Sequence, residues 1–413
     1  MSEWQEFPFG DLATLSNGAN FTKDSFGAGL KILGVRDFGD RTVPDWSAMD
    51  EVESTALSSD RQLLAEGDLV FVRSNGNPAL VGRSMLVTGG PRATHSAFTI
   101  KARPNRGLVI PRFLAYQMRN AHRVGLMRAA NGTNITNLSQ PILAGVRVRV
   151  PSLATQAKVL EVLGAIDDLI ENNERRVQIL EGIARAVYRE WFVRFRYPGH
   201  ESVPVNDFAS GTIPEGWEVK KLVDIAEITM GQSPSSEHFN DDGIGRPFHQ
   251  GVTGFGANFP TTRKWSAVGG RTAREGDILV SVRAPVGRIN VADVDITIGR
   301  GLSAIRARDG RQALLLGHIR EIFAEEDSMG NDGAIFKSLG KAELHSLPIA
   351  VAPSRVADAA ESPLADNLDL IRLLSGSTAR LVSLRDVLLP KLVTGQIDVS
   401  GLDIDILLDE SPA

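Results

Sequence analysis

The chain has 413 residues, more than one hydrophobic core usually serves, so two or three domains are expected. It contains no cysteine and no long uninterrupted apolar run, which excludes disulfides, thiolate zinc sites and cysteine nucleophiles and predicts no transmembrane helix. DNA-binding proteins normally carry a basic surface, so the net charge of −5 argues mildly against DNA binding. It does not exclude local basic patches.

Residues 1–150 are predicted to form a first domain of mixed α/β structure. The opening "MSEWQEFPFGDL" lacks a basic region followed by an apolar one, so we expect no signal peptide, and the lack of cysteine fits a cytoplasmic location. The segments "GDLVFVR" and "VRVRV" predict strands because they are β-branched, alternating and bounded by Gly or Pro. The segment "PRFLAYQMRNAHRVGLM" has the apolar spacing of a helix.

Residues 151–197 are predicted to form a long spacer helix. Ser152 stands at its start and is a suitable N-cap, because its hydroxyl can accept from a free amide of the first turn. Apolar residues recur at every third or fourth position along the segment, which indicates one apolar stripe that needs one partner face. The following residues 198–211 are rich in Pro, Gly and polar residues and are predicted to be a linker.

The second half of the chain has the same order of elements. Residues 212–352 form a second predicted mixed α/β domain, in which "GDILVSVR" and "PIAVA" predict strands and "LLLGHIREIFAEE" predicts a helix. Residues 353–397 form a second long spacer helix, with Ser354 as the expected N-cap and with Pro363 and Gly376 expected to kink or weaken it. Residues 398–413 are predicted to be an acidic tail.

The two long helices are predicted to pair with each other as an antiparallel coiled coil. Each stripe could instead pack on its own domain, but the stripes are longer than a small domain could cover, which favours pairing. The first helix would leave one domain and reach the second, and the second helix would return along it. The residues predicted to form the pairing surface are Ile166, Leu169, Leu180, Ile183, Val187, Leu368, Ile371, Leu374, Leu381, Leu384 and Leu388.

The chain is also predicted to be a tandem repeat, because four pairs of segments match in the same order. "WQEFPFGDLATLSNG" matches "WEVKKLVDIAEITMG", and "EGDLVFVRSNG" matches "EGDILVSVRAPVG". "GTNITNLS" matches "GAIFKSLG", and "VRVRVPS" matches "PIAVAPS". Four ordered matches are hard to obtain by chance, so we predict two homologous halves related by an internal pseudo-two-fold.

Duplex DNA also has approximate two-fold axes, so a protein with two related domains is suited to contact two half-sites. The loops "RSNGNPALVGR" and "VRAPVGRINVAD" are related but carry different side chains. Two unlike domains would recognise an asymmetric target in two parts.

The chain resembles the specificity subunits of type I restriction–modification systems. The resemblance rests on "LSQPILAGVRVRVPSLATQAKVLEVLGAIDDLIENN" and "YREWFVRF" in the first half. In the second half it rests on "RPFHQGVTGFG", "EGDILVSVRAPVGRINVA", "TIGRGLSAIRA" and "LRDVLLPKLVTGQI". The first half departs from the pattern in one respect, since "THSAFTIKA" stands where an "IGRG" segment would be expected.

The resemblance implies an α+β fold with two target-recognition domains and two long helices that form an antiparallel coiled coil. It implies a non-catalytic chain that binds double-stranded DNA and two adenine-methylating modification subunits, and optionally two motor-nuclease restriction subunits. S-adenosylmethionine would then belong to the modification subunit, with no cofactor in this chain and no membrane partner.

The residues themselves offer little for catalysis. No Asn/Asp-Pro-Pro-aromatic tetrapeptide of an adenine methyltransferase occurs, "SLGKAE" lacks the glycine and Ser/Thr of a phosphate loop, and the seven histidines have no metal-ligand spacing. Asp207 and Glu218 with Lys220 have roughly the letters of a nuclease site, but Glu218 is interpreted as the exposed start of a strand.

The candidate DNA contacts are Arg and Lys for guanine and phosphate, and Asn and Gln for adenine, in loops that also contain Gly and Pro. A turn-stabilising or solvated role is the alternative for each of them. In the first domain they are Arg36, Arg73, Asn75, Asn77, Arg83, Asn131, Thr133 and Asn134. In the second they are His249, Gln250, Arg263, Lys264, Arg283, Arg288, Arg300 and Lys337.

Two other functions remain open at this stage. A scaffold with two protein-interaction domains on a coiled-coil spacer, and without DNA recognition, would fit the acidic net charge. A nuclease that uses Asp207 and Glu218 is the other alternative. The loops rich in Arg, Asn and Gln favour the specificity subunit over both.

Overall fold

The computed structural model describes residues 4–39, 41–57, 59–123, 125, 137–208, 211–328, 338–399 and 401. The chain divides into two compact units: unit 1 comprises Met1–Glu171 and Ala379–Ala413, and unit 2 comprises Asn172–Thr378. Each unit contains one mixed α/β domain and a part of each long helix, so the predicted fold class is confirmed.

Unit 1 contains short strands and helices on the N-terminal side of the first long helix. They are β1 (Gln5–Pro8), α1 (Phe9–Leu12), β2 (Ala13–Asn17), β3 (Phe26–Leu33), β4 (Glu51–Val52), β5 (Leu69–Val72), β6 (Ser84–Leu86), β7 (Ala93–His95), β8 (Thr99–Pro104), α2 (Pro111–Arg123), α3 (Gln140–Gly145) and β9 (Arg147–Val150). The first long helix, α4 (Leu153–Tyr188), begins in this unit. The sheets have the strand orders β2-β8-β5-β6, β4-β3-β7 and β1-β9.

Unit 2 has the corresponding elements between the two long helices. They are β10 (Val205–Phe208), β11 (Gly211–Pro214), β12 (Glu218–Lys221), α5 (Leu222–Ile225), β13 (Ala226–Met230), β14 (Phe239–Asn240), β15 (Arg246–His249), β16 (Trp265–Ser266), β17 (Thr272–Ala273), β18 (Ile278–Ser281), β19 (Ile289–Val291), β20 (Ile296–Ile298), β21 (Leu302–Ala307), α6 (Gln312–Ser328), α7 (Lys341–Ser346) and β22 (Pro348–Val351). The second long helix is α8 (Ser354–Val393). The sheets have the orders β13-β21-β18-β19, β14-β16-β15-β20-β17 and β12-β22, besides the hairpin β10-β11.

The topology confirms the repeat that the sequence predicts. The order β13-β21-β18-β19 repeats β2-β8-β5-β6 element by element, and β12-β22 repeats β1-β9. In the remaining sheet, β3 pairs in parallel with β7 and β15 pairs in parallel with β20. Unit 2 adds β14 and β17 at the edges of this sheet. The two domains therefore share one fold although few of their residues match.

Strand β5 connects two cores of unit 1 because alternate side chains of a strand face opposite ways. Leu69 and Phe71 pack in the core that contains Phe113 of α2. Val70 and Val72 pack in a second core with Leu33 and Phe38. All four residues of β5 are fully buried, as expected for a strand covered on both faces. The predicted strand "GDLVFVR" is thus the central strand of its domain.

The long helices begin as the sequence predicts, with one difference in capping. Ser152 accepts a hydrogen bond from the amide of Thr155 (3.3 Å), which confirms it as the N-cap of α4. Helix α8 instead includes Ser354, and the carbonyl of Pro353 accepts from the amides of the first turn. Helix α8 continues through Pro363 and Gly376, while α4 ends in a wider turn at Arg189–Val193.

The predicted linker and tail are partly built into the domains. Strand β10 lies within residues 198–211 and pairs with β11, so this segment contributes one strand of a hairpin. Val399, in the predicted acidic tail, is buried in the core of unit 1. Residues 402–413 lie outside the described part of the chain.

The two long helices pair antiparallel within each unit. In unit 2, Asn173 donates to Ser377 (3.4 Å) and Asn367 donates to the carbonyl of Leu180 (3.1 Å), so the numbering rises along one helix as it falls along the other. In unit 1, the start of α4 shares a core with the end of α8. The members of that core from the two helices are Val159, Leu163, Leu389, Leu392 and Val393.

The residues predicted to pair coincide only partly with the seam, by which we mean the surface along which the two long helices contact each other. Ile166, Ile371 and Leu374 are buried, and five others are partly buried, namely Leu180, Val187, Leu368, Leu381 and Leu388. The prediction is wrong for three residues that are about half exposed, namely Leu169 (52%), Ile183 (49%) and Leu384 (47%). The less exposed residues next to them in the chain are Ile170, Ala184 and Arg385. The seam follows helical spacing and not side-chain size, so a small or charged residue occupies some of its positions.

The seam predicts that two apolar residues of α8, two positions apart, contribute very differently to stability. Ile371 is 1% exposed and Leu373 is 66% exposed. Ile371→Ala should lower the free energy of unfolding by about 2–5 kcal/mol because it leaves a cavity. Leu373→Ala should change it by less than about 0.5 kcal/mol. Urea unfolding followed by circular dichroism measures both, and equal losses would contradict the seam.

Candidate nucleic-acid interface

In unit 1, three loops meet where parallel strands β3 and β7 end. The amide of Ser96 donates to the carbonyl of Leu33 (3.1 Å), which joins the ends of the two strands. The amides of Arg73 and Ser74 donate to the carbonyl of Phe98 (2.8 and 3.3 Å), which attaches the loop after β5. Carboxyl ends of parallel strands are a common position for binding loops. We call these loops, residues 34–39, 73–83 and 96–98, the loop edge of unit 1.

Unit 2 builds the same edge with the same backbone contacts. The amide of Gly299 donates to the carbonyl of His249 (2.8 Å). The amide of Val282 donates to Gly301 (2.9 Å), whose own amide donates to Gln250 (3.0 Å). We call the corresponding loops, residues 250–254, 261–264, 282–288 and 299–301, the loop edge of unit 2.

These contacts align the two edges better than the sequence does. Val282 in unit 2 makes the backbone contact that Arg73 makes in unit 1, and Arg283 forms a bridge to Ser338 as Ser74 does to Asn137. The arginines of "VRSNG" and "VRAPVG" are therefore not equivalent.

The other pair of arginines in these loops is equivalent. The carbonyl of Arg83 accepts from the amide of Val72 (2.8 Å), and the carbonyl of Arg288 accepts from Ser281 (2.9 Å). Both contacts lie at the last residue of the central strand, so Arg83 and Arg288 occupy the same place.

The segment "THSAFTIKA" is the structural counterpart of "TIGRGLSAI". The amide of Thr99 donates to Ser96 (2.9 Å), as the amide of Leu302 donates to Gly299 (3.0 Å). Phe98 thus stands where unit 2 has Gly301, and Ala97 stands where it has Arg300. The phenyl ring of Phe98 is 61% exposed. No sequence motif marks this residue, because the shared turn is visible only in the backbone.

The arginines of the unit 1 edge are mostly engaged within the protein. Arg36 is exposed and pairs with Asp50 and, at 3.7 Å, with Asp37. The guanidinium of Arg83 donates to the carbonyl of Gly39. Arg73 is partly buried. Arg36, the exposed arginine of this edge, is therefore paired with carboxylates, while Arg73 and Arg83 are partly buried.

Asn75 and Asn77 stabilise the loop after β5. The Asn75 side-chain oxygen accepts from the amide of Asn77 (2.7 Å), and the Asn77 oxygen accepts from Ala79 (3.0 Å). Both contacts are the local turns that asparagine favours. The turn-stabilising alternative therefore describes these two side chains, although their amide groups remain near the edge.

Four predicted contacts lie outside the described residues, namely Asn131, Thr133, Asn134 and Lys337. The described residues that follow these segments, Asn137 and Ser338, each bridge to a loop-edge residue.

The loop edge of unit 2 is more basic. Its exposed cations are Arg263, Lys264, Arg283, Arg288 and Arg300. Within the described part of the chain, no carboxylate lies at ion-pairing distance from any of these five side chains. Gln250 is exposed on the same edge. The edge can therefore offer cations and an amide to an anionic partner.

His249 does not belong to this exposed set, so the prediction for it is wrong. It is 4% exposed, and its Nε2 lies 3.4 Å from the hydroxyl of Thr262. Burial lowers the pKa of His249, which keeps the ring neutral. Side chains alternate along a strand, so the last residue of β15 points inward while Gln250 points outward.

In unit 1, α2 fixes the domain against the long helices. Arg112 pairs with Asp168 of α4 (3.1 Å). The hydroxyl of Tyr116 donates to Asp167, which also pairs with Arg385 of α8 (2.9 Å). Burial, and then the carboxylate of Asp167, raise the pKa of Tyr116 above its usual value. One carboxylate thus joins the domain to both helices.

In unit 2, α6 has the same role. The carboxylate of Glu361, on α8, accepts from the first free amides of α6, at Ala313 (3.1 Å) and Leu314 (2.7 Å). Tyr188, at the end of α4, hydrogen-bonds to His318 (2.8 Å), and Arg189 pairs with Glu321 (2.8 Å). Each loop edge is therefore held in a fixed relation to the helices of its own unit.

The described residues contain no group of three or more His, Cys, Asp or Glu side chains placed to hold a metal. Glu218 is an exposed residue at the start of β12 and pairs with Lys220 (2.8 Å), which lowers the pKa of its carboxyl. In the described part of the chain, no helix is both long and apolar enough to cross a membrane.

Comparison with known proteins shows which proteins this chain resembles. Residues 1–181 match the family model of the type I restriction modification DNA specificity domain. The chain is 25% identical, over 94% of its length and 92% of the relative, to a Methanocaldococcus jannaschii protein described as the MjaX specificity subunit of a type I restriction enzyme. A stretch of 119 residues, 29% of this chain and 28% of the relative, is 34% identical to the MjaIX specificity subunit of the same organism. The chain is thus similar to type I specificity subunits along nearly its whole length.

A solved relative has the same fold. The type I restriction-modification system S subunit from M. genitalium matches with a TM-score of 0.61 at 12% identity, over 95% of this chain and 96% of that one. The fold that the sequence resemblance implies is thereby confirmed.

The turn that carries Phe98 predicts a pH dependence. Burial lowers the pKa of His95 to about 3, and its Nδ1 lies 2.9 Å from the hydroxyl of Thr99. The unfolded chain binds this proton below about pH 6.5 and the folded chain does not, so stability should fall as the pH drops from 6.5 towards 3. The loss should approach about 1.4 kcal/mol per pH unit.

Urea unfolding of wild type and His95→Gln at several pH values between about 7.5 and 5 measures this contribution. The variant should have a shallower pH slope, whatever its stability at pH 7.5. His238→Gln, at a partly exposed histidine, is the control and should keep the wild-type slope. Equal slopes for His95→Gln and wild type would refute the assignment.

Proposed function

We propose that this chain recognises an asymmetric DNA target in two parts on behalf of a type I restriction–modification complex. The observation that carries the proposal is the pair of loop edges, which have the same backbone contacts and different side chains. Equivalent frames with unequal side chains are suited to reading two unlike half-sites.

The unit 2 edge has the chemistry for DNA contact. Five exposed cations without described carboxylate partners can bind phosphates, and arginine can also bind guanine in the major groove. Gln250 can bind adenine. This local charge also accounts for DNA binding by a chain whose net charge is −5.

We assign the spacing of the two half-sites to the long helices. Helix α4 has 36 residues and α8 has 40, which correspond to about 54 and 60 Å of helix. Each target-recognition domain is fixed to the helices of its own unit through α2 or α6. In this proposal, helix length separates the half-sites by a stretch of unspecified bases.

The outer faces of the long helices are the proposed docking surfaces for two modification subunits. Exposed aliphatic side chains occur on both helices in each unit. They are Leu153, Leu169, Leu384 and Val387 in unit 1, and Ile179, Ile183, Leu370 and Leu373 in unit 2. Two such surfaces match two copies of the modification subunit, which would bind S-adenosylmethionine and methylate adenine. Restriction subunits would join this assembly, and the chain itself would act in the cytoplasm without catalysis.

The scaffold alternative differs in one measurable property, which is salt-dependent DNA binding by the edges. The lone chain should bind DNA weakly because it has no surplus positive charge, and the modification subunits should add phosphate contacts. A scaffold would show no specific binding even in the complex.

Arginines of the unit 2 edge provide the direct test. In the complex with its modification subunit, Arg283→Ala and Arg300→Ala should each weaken binding at least about fivefold. The DNA is the sequence that the complex methylates. An arginine that contacts phosphate should also lower the slope of log affinity against log salt by about 1. Gel shifts over a range of salt concentrations measure both effects.

The matched control is Arg308→Ala. Strand β21 begins beside the loop edge and ends at Ala307, so Arg308 lies beyond the far end of the strand, where it pairs with Glu227 (3.9 Å). This variant should bind like wild type. Edge variants indistinguishable from Arg308→Ala would count against DNA contact by this edge.

A further inference from the structure

Phe98 is an exposed aromatic side chain held on a well-fixed turn. The hydroxyl of Thr99 donates to the carbonyl of Ser96 (2.7 Å), and His95 lies 2.9 Å from that hydroxyl. The carbonyl of Phe98 itself accepts from Arg73 (2.8 Å). Single exposed apolar residues are common on protein surfaces, so exposure alone assigns no role. The place of its turn, whose backbone contacts the two other loops of the unit 1 edge, is what makes it informative.

The same turn differs sharply between the two edges. Unit 2 has Arg300 and Gly301 where unit 1 has Ala97 and Phe98, so the turn carries a cation in unit 2 and, at the next position, a phenyl ring in unit 1. If the turn contacts DNA in unit 2, the equivalent turn of unit 1 lies in the same position with apolar chemistry.

The rest of the unit 1 edge also has reduced charge. Arg36 is paired with Asp50, and the guanidinium of Arg83 is bonded to Gly39. Base recognition in this edge therefore depends less on arginine than in unit 2. Apolar contact is another way in which a side chain distinguishes bases.

We propose that Phe98 is a specificity-determining residue that contacts the C5-methyl group of a thymine in the half-site read by unit 1. A phenyl ring has no hydrogen-bond donor or acceptor, and the thymine methyl is the apolar group that the major groove displays. The inference rests on the proposed function, because it requires that the unit 1 edge lies against DNA.

The test removes the methyl group from the DNA and the ring from the protein. Each thymine of the target is replaced in turn by deoxyuridine, and binding by the complex with its modification subunit is measured. At one position, deoxyuridine should weaken wild-type binding about fourfold, the equivalent of roughly 0.8 kcal/mol for one buried carbon. With Phe98→Ala, thymine and deoxyuridine should bind equally at that position.

Phe26→Ala is the matched control. Phe26 is 47% exposed and is the first residue of β3, whereas the loop edge follows the last residue of that strand. This variant should keep the fourfold difference. Phe98→Leu, which retains an apolar side chain, should keep part of it, and the thermal unfolding midpoints of all three variants show whether they are folded.

Two results would overturn the inference while leaving the proposed function intact. In one, Phe98→Ala keeps the full thymine preference. In the other, deoxyuridine has no effect at any position, although wild type binds its target and Arg283→Ala weakens that binding. A ring inserted between bases would give this second pattern, with Phe98→Ala weakening thymine and deoxyuridine DNA alike. Failure of the wild-type complex to bind any specific sequence would instead refute the proposed function.

Discussion

The antiparallel pairing of the two long helices within each unit is the interaction on which the rest of the structure depends. It places the start of α4 beside the end of α8 in unit 1, and the end of α4 beside the start of α8 in unit 2. Each domain then contacts this pair through α2 or α6, by ion pairs in unit 1 and by the capping carboxylate of Glu361 in unit 2. Without the pair, neither loop edge would have a fixed direction.

Polar residues within the seam make the pairing specific in register. In unit 2, Asn173 and Asn367 each donate a hydrogen bond to the opposite long helix. In unit 1, Asp167 pairs with Arg385. Such groups stabilise less than apolar residues would, but a shift of one helix would leave them buried without partners. They select one alignment among those that apolar packing would allow. The position of each domain along the helices is therefore set together with the pairing.

Periodicity and repetition made the helices, the mixed domains and the repeat predictable, because both are visible in the letters. Side-chain direction was not: His249 follows the inward alternation of its strand, and Leu169 lies one position from the seam. The position of Phe98 was hidden for another reason. Its turn has the same backbone hydrogen-bond pattern as the "IGRG" turn, but the two turns have no residue in common. Likewise the two "VR" arginines match in sequence and differ in place. The sequence shows which loops carry polar and basic residues. The position of each of these residues depends on backbone contacts between segments that lie far apart in the chain.

The central claim is that two unlike domains read separate halves of one DNA target. It is tested most directly by exchanging residues 212–351 for the matching domain of a relative and sequencing the methylated adenines in cells that express the complex. The domains belong to different compact units, and distant sites rarely couple. The account predicts that one half of the methylated motif changes while the other half and the gap are kept. A change in both halves, in a folded and active hybrid, would contradict it.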